Sequence, residues 1–153
     1  MRTVDDLIAS KPRPENIISP NVLVIDALHQ LEVVNLSYLI VMEGDDYKGV
    51  FSERDYSRNV VLKGRSSREA KVQEVMTTDL PVVAPDDTVE HCMTMMARSK
   101  ARYLVALDNG QFMGVITIHD ILREVLANRS EVFDDALAQK LIDTAEGRGK
   151  RIY

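Results

Sequence analysis

Two seven-residue segments of this chain combine a hydroxyl group and a carboxylate at a spacing suited to the start of a helix that can bind an anion. Each has a glycine, two apolar residues, Ser or Thr, two variable positions and Asp: Gly49-Val50-Phe51-Ser52-Glu53-Arg54-Asp55 and Gly114-Val115-Ile116-Thr117-Ile118-His119-Asp120. The pattern predicts a strand that runs directly into a helix, with Ser52 or Thr117 as the N-cap and Asp55 or Asp120 in capping-box position. Because helix N-termini attract anions, each segment is a candidate anion site.

The surrounding sequence predicts that the two segments belong to two copies of one βαββα unit. Residues 17–62 align with residues 82–127 without a gap and share nine identities in forty-six positions. Apolar runs predict buried strands, the Asn109-Gly110 pair predicts a type I′ hairpin turn, and Gly64 predicts a helix end. We therefore expect an α+β fold in which two repeats pack sheet to sheet with pseudo-twofold symmetry.

Short helices are predicted at both termini, the first with Thr3 as its N-cap. The second is predicted over Glu131–Ala145, followed by a mobile tail. The predicted segments are an N-terminal helix and linker, the first repeat, a connector, the second repeat, and the C-terminal helix with its tail: 1–13, 14–64, 65–75, 76–128 and 129–153.

Composition argues against several classes of function. The net charge of -5 and pI near 5.2 disfavour binding to nucleic acid or anionic membranes. No segment resembles a membrane span or a signal peptide, so we expect a cytoplasmic protein. Cys92 is the single cysteine and the three histidines lack zinc-ligand spacing, so neither a disulfide nor a metal site is predicted. Helical spacing places Cys92 and the nearby methionines in a core.

Taken together, the two heptapeptides, each after a hairpin and before a helix, make residues 14–127 resemble a tandem pair of CBS (cystathionine β-synthase) domains. The resemblance implies a regulatory module without a required cofactor that binds AMP, ADP, ATP, NAD or a related adenosine ligand. It also implies a homodimer that acts on another protein. No catalytic residue is expected.

The resemblance also implies roles for individual residues. Ser52 and Thr117 would contact phosphate, and Asp55 and Asp120 would accept hydrogen bonds from ribose hydroxyls, as suits an acceptor-only group. The second-repeat site, which is preferred because its first strand is more apolar, comprises Thr77, Thr78, Leu80, Pro81, Val82, Arg102, Tyr103, Thr117, His119 and Asp120. The first-repeat site comprises Asn16, Ile17, Ser37, Ser52, Arg54 and Asp55.

Other interpretations of these residues stay open at this stage. The two motifs could be capping boxes with no ligand, Gly49 and Gly114 could be turn or bulge glycines, and Arg54 could be a solvated helix residue. The whole chain could be an interaction scaffold that binds no small molecule. A nucleotide hydrolase using His119 and Asp120 is less favoured, because the sequence offers no metal cluster or activated nucleophile.

Overall fold

The computed structural model describes residues 2–128 and 135–146, which form two compact units. The first-repeat unit is Arg13–Asp79, and the second-repeat unit combines Met1–Pro12 with Leu80–Tyr153. Each unit holds one three-stranded sheet with helices, which confirms the α+β class.

The first-repeat unit contains a sheet of order β1-β2-β3, in which β1 is parallel to β2 and β2 is antiparallel to β3. Leu39, Val41 and Phe51 from the sheet pack on Val24 and Ala27 of a helix. Its elements are β1 (Ile17–Ile18), α2 (Val24–Val34), β2 (Tyr38–Glu43), β3 (Asp46–Ser52), α3 (Glu53–Asp55), a π-helical segment (Tyr56–Val61) and α4 (Val72–Val75).

The second-repeat unit repeats this topology with the order β4-β5-β6. Its core joins sheet residues such as Leu104 and Ile116 to Met93 and Met96 of a helix, and Leu141 near the C-terminus is also buried there. Its elements are α1 (Val4–Ala9), β4 (Val82–Val83), α5 (Val89–Ser99), β5 (Tyr103–Asp108), β6 (Gln111–Thr117), α6 (Ile118–Ala127) and α7 (Asp135–Glu146). Of the predicted C-terminal helix, residues 131–134 lie outside the described residues, as does the tail.

Local sequence signals for turns are confirmed. Asn109 and Gly110 both have positive φ, 48° and 81°, as a type I′ hairpin requires. Gly64 has φ 68°, and the N–H groups of Gly64 and Arg65 donate to the carbonyls of Val61 and Val60, which is the Schellman pattern of a helix end. The helix before Gly64 differs from the expectation of regular α geometry, because Tyr56–Val61 is π-helical.

A short helix from outside each βαββα repeat docks on its last strand. Helix α1 packs against β6, and α4 packs against β3. Backbone bonds fix both segments: the N–H of Val4 donates to the Asp87 carbonyl at 2.8 Å, and the N–H of Val72 donates to the Val22 carbonyl at 2.9 Å. The N-terminal helix therefore completes the second-repeat unit, and the connector helix completes the first.

Gly49 and Gly114 lie where these docked segments cross the motif strands. A Cβ atom on Gly49 would lie 2.6 Å from the backbone oxygen of Thr77, and one on Gly114 would lie 2.7 Å from Cδ1 of Ile8. The close approach explains both glycines more directly than a turn does, since neither has positive φ.

Among the described residues, no helix is both long and apolar enough to cross a membrane. The predicted cytoplasmic location stays a prediction.

The two glycines make a matched pair for mutagenesis. We expect Gly49→Ala to lower the free energy of unfolding by about 1–3 kcal/mol, because the obstructing atom belongs to the backbone. Gly114→Ala should cost less than about 1 kcal/mol, since the Ile8 side chain can rotate away. Urea denaturation of both variants measures the difference, and equal costs would contradict the proposed cause.

Candidate functional site

In the second-repeat unit, the predicted motif forms a buried carboxylate at the start of α6. The Thr117 hydroxyl accepts from the Asp120 N–H at 3.2 Å, and Asp120 Oδ2 accepts from the Thr117 N–H at 2.8 Å. The two bonds complete the capping box predicted from sequence. Because Asp120 is only 6% exposed, its negative charge must be compensated by hydrogen-bond donors or cations around it.

Two cations supply that compensation. Lys11 Nζ lies 2.7 Å from Asp120 Oδ2 and also donates to the Val115 carbonyl at 2.8 Å. Arg123, one turn along α6, donates to Asp120 Oδ1. The Lys11 side chain is 26% exposed and that of Arg123 is 70% exposed. Lys11 is therefore the less solvated partner, and the one less weakened by water and salt.

The first-repeat motif has the same capping box but a different set of partners. Asp55, also 6% exposed, accepts at Oδ2 from the Ser52 N–H at 2.9 Å and the Ser52 hydroxyl at 3.1 Å. Asp55 Oδ1 accepts from the Thr77 hydroxyl at 2.7 Å. These donors are neutral, whereas the equivalent carboxylate in the second repeat is held by charged groups.

The residues one turn further along each helix show the same contrast between charged partners in the second repeat and neutral partners in the first. Glu124 is buried, lies 2.8 Å from Arg2 Nε and accepts from the Asn128 amide. Its counterpart in the alignment, Asn59, donates to the Val75 carbonyl at 2.9 Å. The N-terminal segment is thus attached to α6 by two ion pairs, and the connector is attached to the first repeat by neutral hydrogen bonds.

The remaining predicted residues have varied positions. Ser37 and Arg102 receive helix-start hydrogen bonds at their carbonyls, from the N–H groups of Glu53 and Ile118. Asn16 is buried and donates to the Tyr38 carbonyl, so its amide has a structural role. The others fall into three groups: exposed Ile17, Arg54, Thr78, Val82 and His119; half-buried Leu80, Pro81 and Tyr103; and Thr77, which lies in the first-repeat unit beside Asp55.

Sequence reasoning missed both cations beside Asp120, Arg123 and Lys11. Lys11 is the one that only the fold brings there. It lies 109 positions from Asp120 in the chain, in a segment predicted only as a linker after the first helix. The one available signal is the matching order of short helix and following residues in 4–11 and 72–77, which stand before the two repeats. A comparison that starts at the first helical residues, Val4 and Val72, pairs Ile8 with Met76 and would have marked the crossing segments without identifying Lys11.

The comparisons with known proteins agree with this architecture. A CBS domain family model matches residues 72–127. A solved protein with CBS domains from Burkholderia ambifaria is 34% identical, with a TM-score of 0.76 over 87% of this chain and 100% of that one. The solved complex of CBSX2 with AMP is 27% identical, with a TM-score of 0.67 over 83% of this chain and 98% of that one.

A third match is the mitochondrial CBS domain-containing protein CBSX3 of Arabidopsis thaliana, 29% identical over 113 residues and 71% of this chain. This chain spans 55% of the length of that relative. With the fold and the two motifs, these matches show that the chain belongs to the CBS-domain family. The two sheets are consistent with a tandem pair of such domains.

Cys92 gives a test of the core assignment. Burial raises the pKa of its thiol to about 12, with a smaller contribution from the charge of Asp87. Since the thiolate is the reactive form, the folded protein should resist a disulfide reagent at pH 8, and modification should follow unfolding. Reaction with Ellman's reagent in native buffer and in urea measures this, and fast native labelling would contradict the core position.

Removing the negative charge of each motif aspartate tests whether its partners are charged or neutral. Asp120→Asn keeps an oxygen for the cap but leaves Lys11 partly buried without its counter-charge, so we expect a loss of about 1–3 kcal/mol in the free energy of unfolding. Asp55→Asn has neutral partners and should cost about 1 kcal/mol or less. Urea denaturation of both variants tests the order, and a larger cost for Asp55→Asn would refute it.

Proposed function

We propose that this chain is a non-enzymatic regulatory module that binds an adenosine nucleotide, such as AMP, ADP, ATP or NAD, and acts on a protein target as a cytoplasmic homodimer. The observation that carries the proposal is the buried carboxylate beside a hydroxyl at the start of the last helix, present in both repeats. The AMP complex of the CBS-domain protein CBSX2 supports an adenosine ligand for this fold.

The residues in and around the two motifs suit the ribose, the phosphate and the base of a nucleotide in turn. A carboxylate accepts from the vicinal hydroxyls of ribose, and Ser52 or Thr117 can donate to a phosphate oxygen. Ile17 and Val82 begin the first strand of each repeat and are exposed, which offers an apolar surface for a base. The exposed Arg54 and His119 lie at the helix starts, where positive charge favours phosphate.

A second candidate is a scaffold for protein contacts that needs no ligand. It is favoured because both motif carboxylates already have intramolecular partners, as capping boxes alone would. Exposed apolar side chains on the last helix of each repeat, Val61, Leu62 and Leu126, suit association with another chain. A hydrolase has less support, since Asp120 is held as a paired anion rather than poised as a base.

Thermal stability in the presence of ligand distinguishes these candidates. A ligand that binds only the folded state at about 100 times its Kd stabilises by about 2.7 kcal/mol. For a chain of this size the melting temperature should then rise by roughly 5–10 °C. We expect that rise with at least one of AMP, ADP, ATP and NAD at millimolar concentration, measured by differential scanning fluorimetry.

Matched variants show whether the motifs cause the shift. The double variant Asp55→Asn with Asp120→Asn should lose most of the ligand-dependent rise, each protein being compared with its own ligand-free form. Asp45→Asn, in an exposed hairpin turn, should keep it. If no adenosine compound changes the melting temperature, the scaffold is favoured, and sedimentation velocity should then give the same oligomeric state for the double variant and the parent.

A further inference from the structure

The two motif carboxylates differ in the residue that the docked helical segment brings to them. In the second-repeat unit the segment crosses Gly114 through Ile8 and places Lys11 Nζ 2.7 Å from Asp120. In the first-repeat unit the corresponding segment crosses Gly49 and places the Thr77 hydroxyl 2.7 Å from Asp55.

Both segments also bind the strand carbonyl beside the motif, but with different atoms. The side-chain ammonium of Lys11 donates to the carbonyl of Val115, whereas the backbone N–H of Thr77 donates to the carbonyl of Val50, which aligns with Val115. One segment therefore brings an ammonium group to Oδ2 of its motif carboxylate, and the other brings a hydroxyl to Oδ1.

This difference changes what a ribose must displace. A carboxylate offers about four acceptor positions, and three donors already occupy each of these two groups. A diol that binds at Asp55 exchanges with the neutral Thr77 hydroxyl. A diol that binds at Asp120 must take the place of a cation, Lys11 or Arg123, whose charge then lacks part of its compensation.

A phosphate on the ligand restores that compensation. Asp120, Lys11 and Arg123 together carry one formal positive charge, so an added phosphate meets a cationic group, whereas a bare nucleoside meets only competition for the carboxylate. The ammonium on its four-carbon stem can turn from the carboxylate to the phosphate without leaving the Val115 region.

We propose that Lys11 is a specificity-determining residue that makes the second-repeat site select phosphorylated nucleosides over bare nucleosides. The first-repeat site, where the docked segment brings the neutral Thr77 hydroxyl to the carboxylate instead, discriminates less. The inference rests on the proposed nucleotide binding, and it assigns to the N-terminal segment a role in ligand choice besides its role in completing the second-repeat core.

The test is a titration of ¹⁵N-labelled protein with AMP and with adenosine, followed by NMR. The backbone amides of Thr117 and Ser52 donate directly to Asp120 and Asp55, so each reports on one site. The measured quantity at each amide is the ratio of the two dissociation constants, adenosine over AMP. The proteins are the parent, Lys11→Thr, Lys11→Arg and the reciprocal variant Thr77→Lys.

In the parent protein we expect the ratio at Thr117 to exceed the ratio at Ser52. Lys11→Thr should lower the Thr117 ratio by about tenfold, the usual effect of one charge-assisted hydrogen bond, and leave the Ser52 ratio unchanged. Lys11→Arg should preserve selectivity because it keeps the charge. Thr77→Lys should raise the Ser52 ratio, which tests the idea even if Lys11→Thr folds poorly.

Other outcomes overturn the inference in distinguishable ways. Binding of AMP with an unchanged Thr117 ratio in Lys11→Thr would refute the role of Lys11 and leave nucleotide binding intact. Equal loss of selectivity in Lys11→Arg and Lys11→Thr would assign the effect to packing rather than charge, against the proposal. If neither compound moves either amide, nucleotide binding itself fails, and the selectivity proposal fails with it.

Discussion

The burial of one carboxylate at the start of the last helix constrains the rest of each repeat. At 6% exposure, Asp55 and Asp120 need donors from several directions. The capping box supplies one side, and the docked segment supplies another. Because the segment passes close to the strand, a Cβ on the residue beneath it would meet the Thr77 backbone at Gly49 and the Ile8 side chain at Gly114. Strand end, helix start and docked segment thus meet at a single polar group.

The same constraint is met with different chemistry in the two repeats. Hydroxyl and amide groups satisfy the first repeat through Thr77 and Asn59, while ion pairs satisfy the second through Lys11 and Arg2. Neutral bonds are insensitive to salt, whereas partly exposed ion pairs weaken as salt rises. Duplicated topology therefore does not imply duplicated electrostatics.

Much of the fold could be predicted because its signals are local. Apolar runs gave the strands, Asn109-Gly110 gave the hairpin turn, and the Ser/Thr-to-Asp spacing gave both capping boxes. Docking of the first helix on the second repeat could not be predicted, since α1 meets β6 only through long-range contacts. The π-helical geometry was not predicted either: the aligned repeats have equal length and both read as helical, yet Tyr56–Val61 is π-helical where the second repeat is α-helical.

Only the residues of the two heptapeptide motifs could be predicted as parts of the candidate site. The sequence favoured the second repeat because its first strand is more apolar, and assigned Asp120 as an acceptor for ribose hydroxyls without foreseeing its partners. In the structure Asp120 is the more strongly paired of the two carboxylates. Strong pairing does not disqualify the site, since a cation held beside an acceptor becomes an anchor when an anionic ligand arrives. Under the proposed nucleotide binding, the preference for the second repeat therefore depends on the ligand's phosphate.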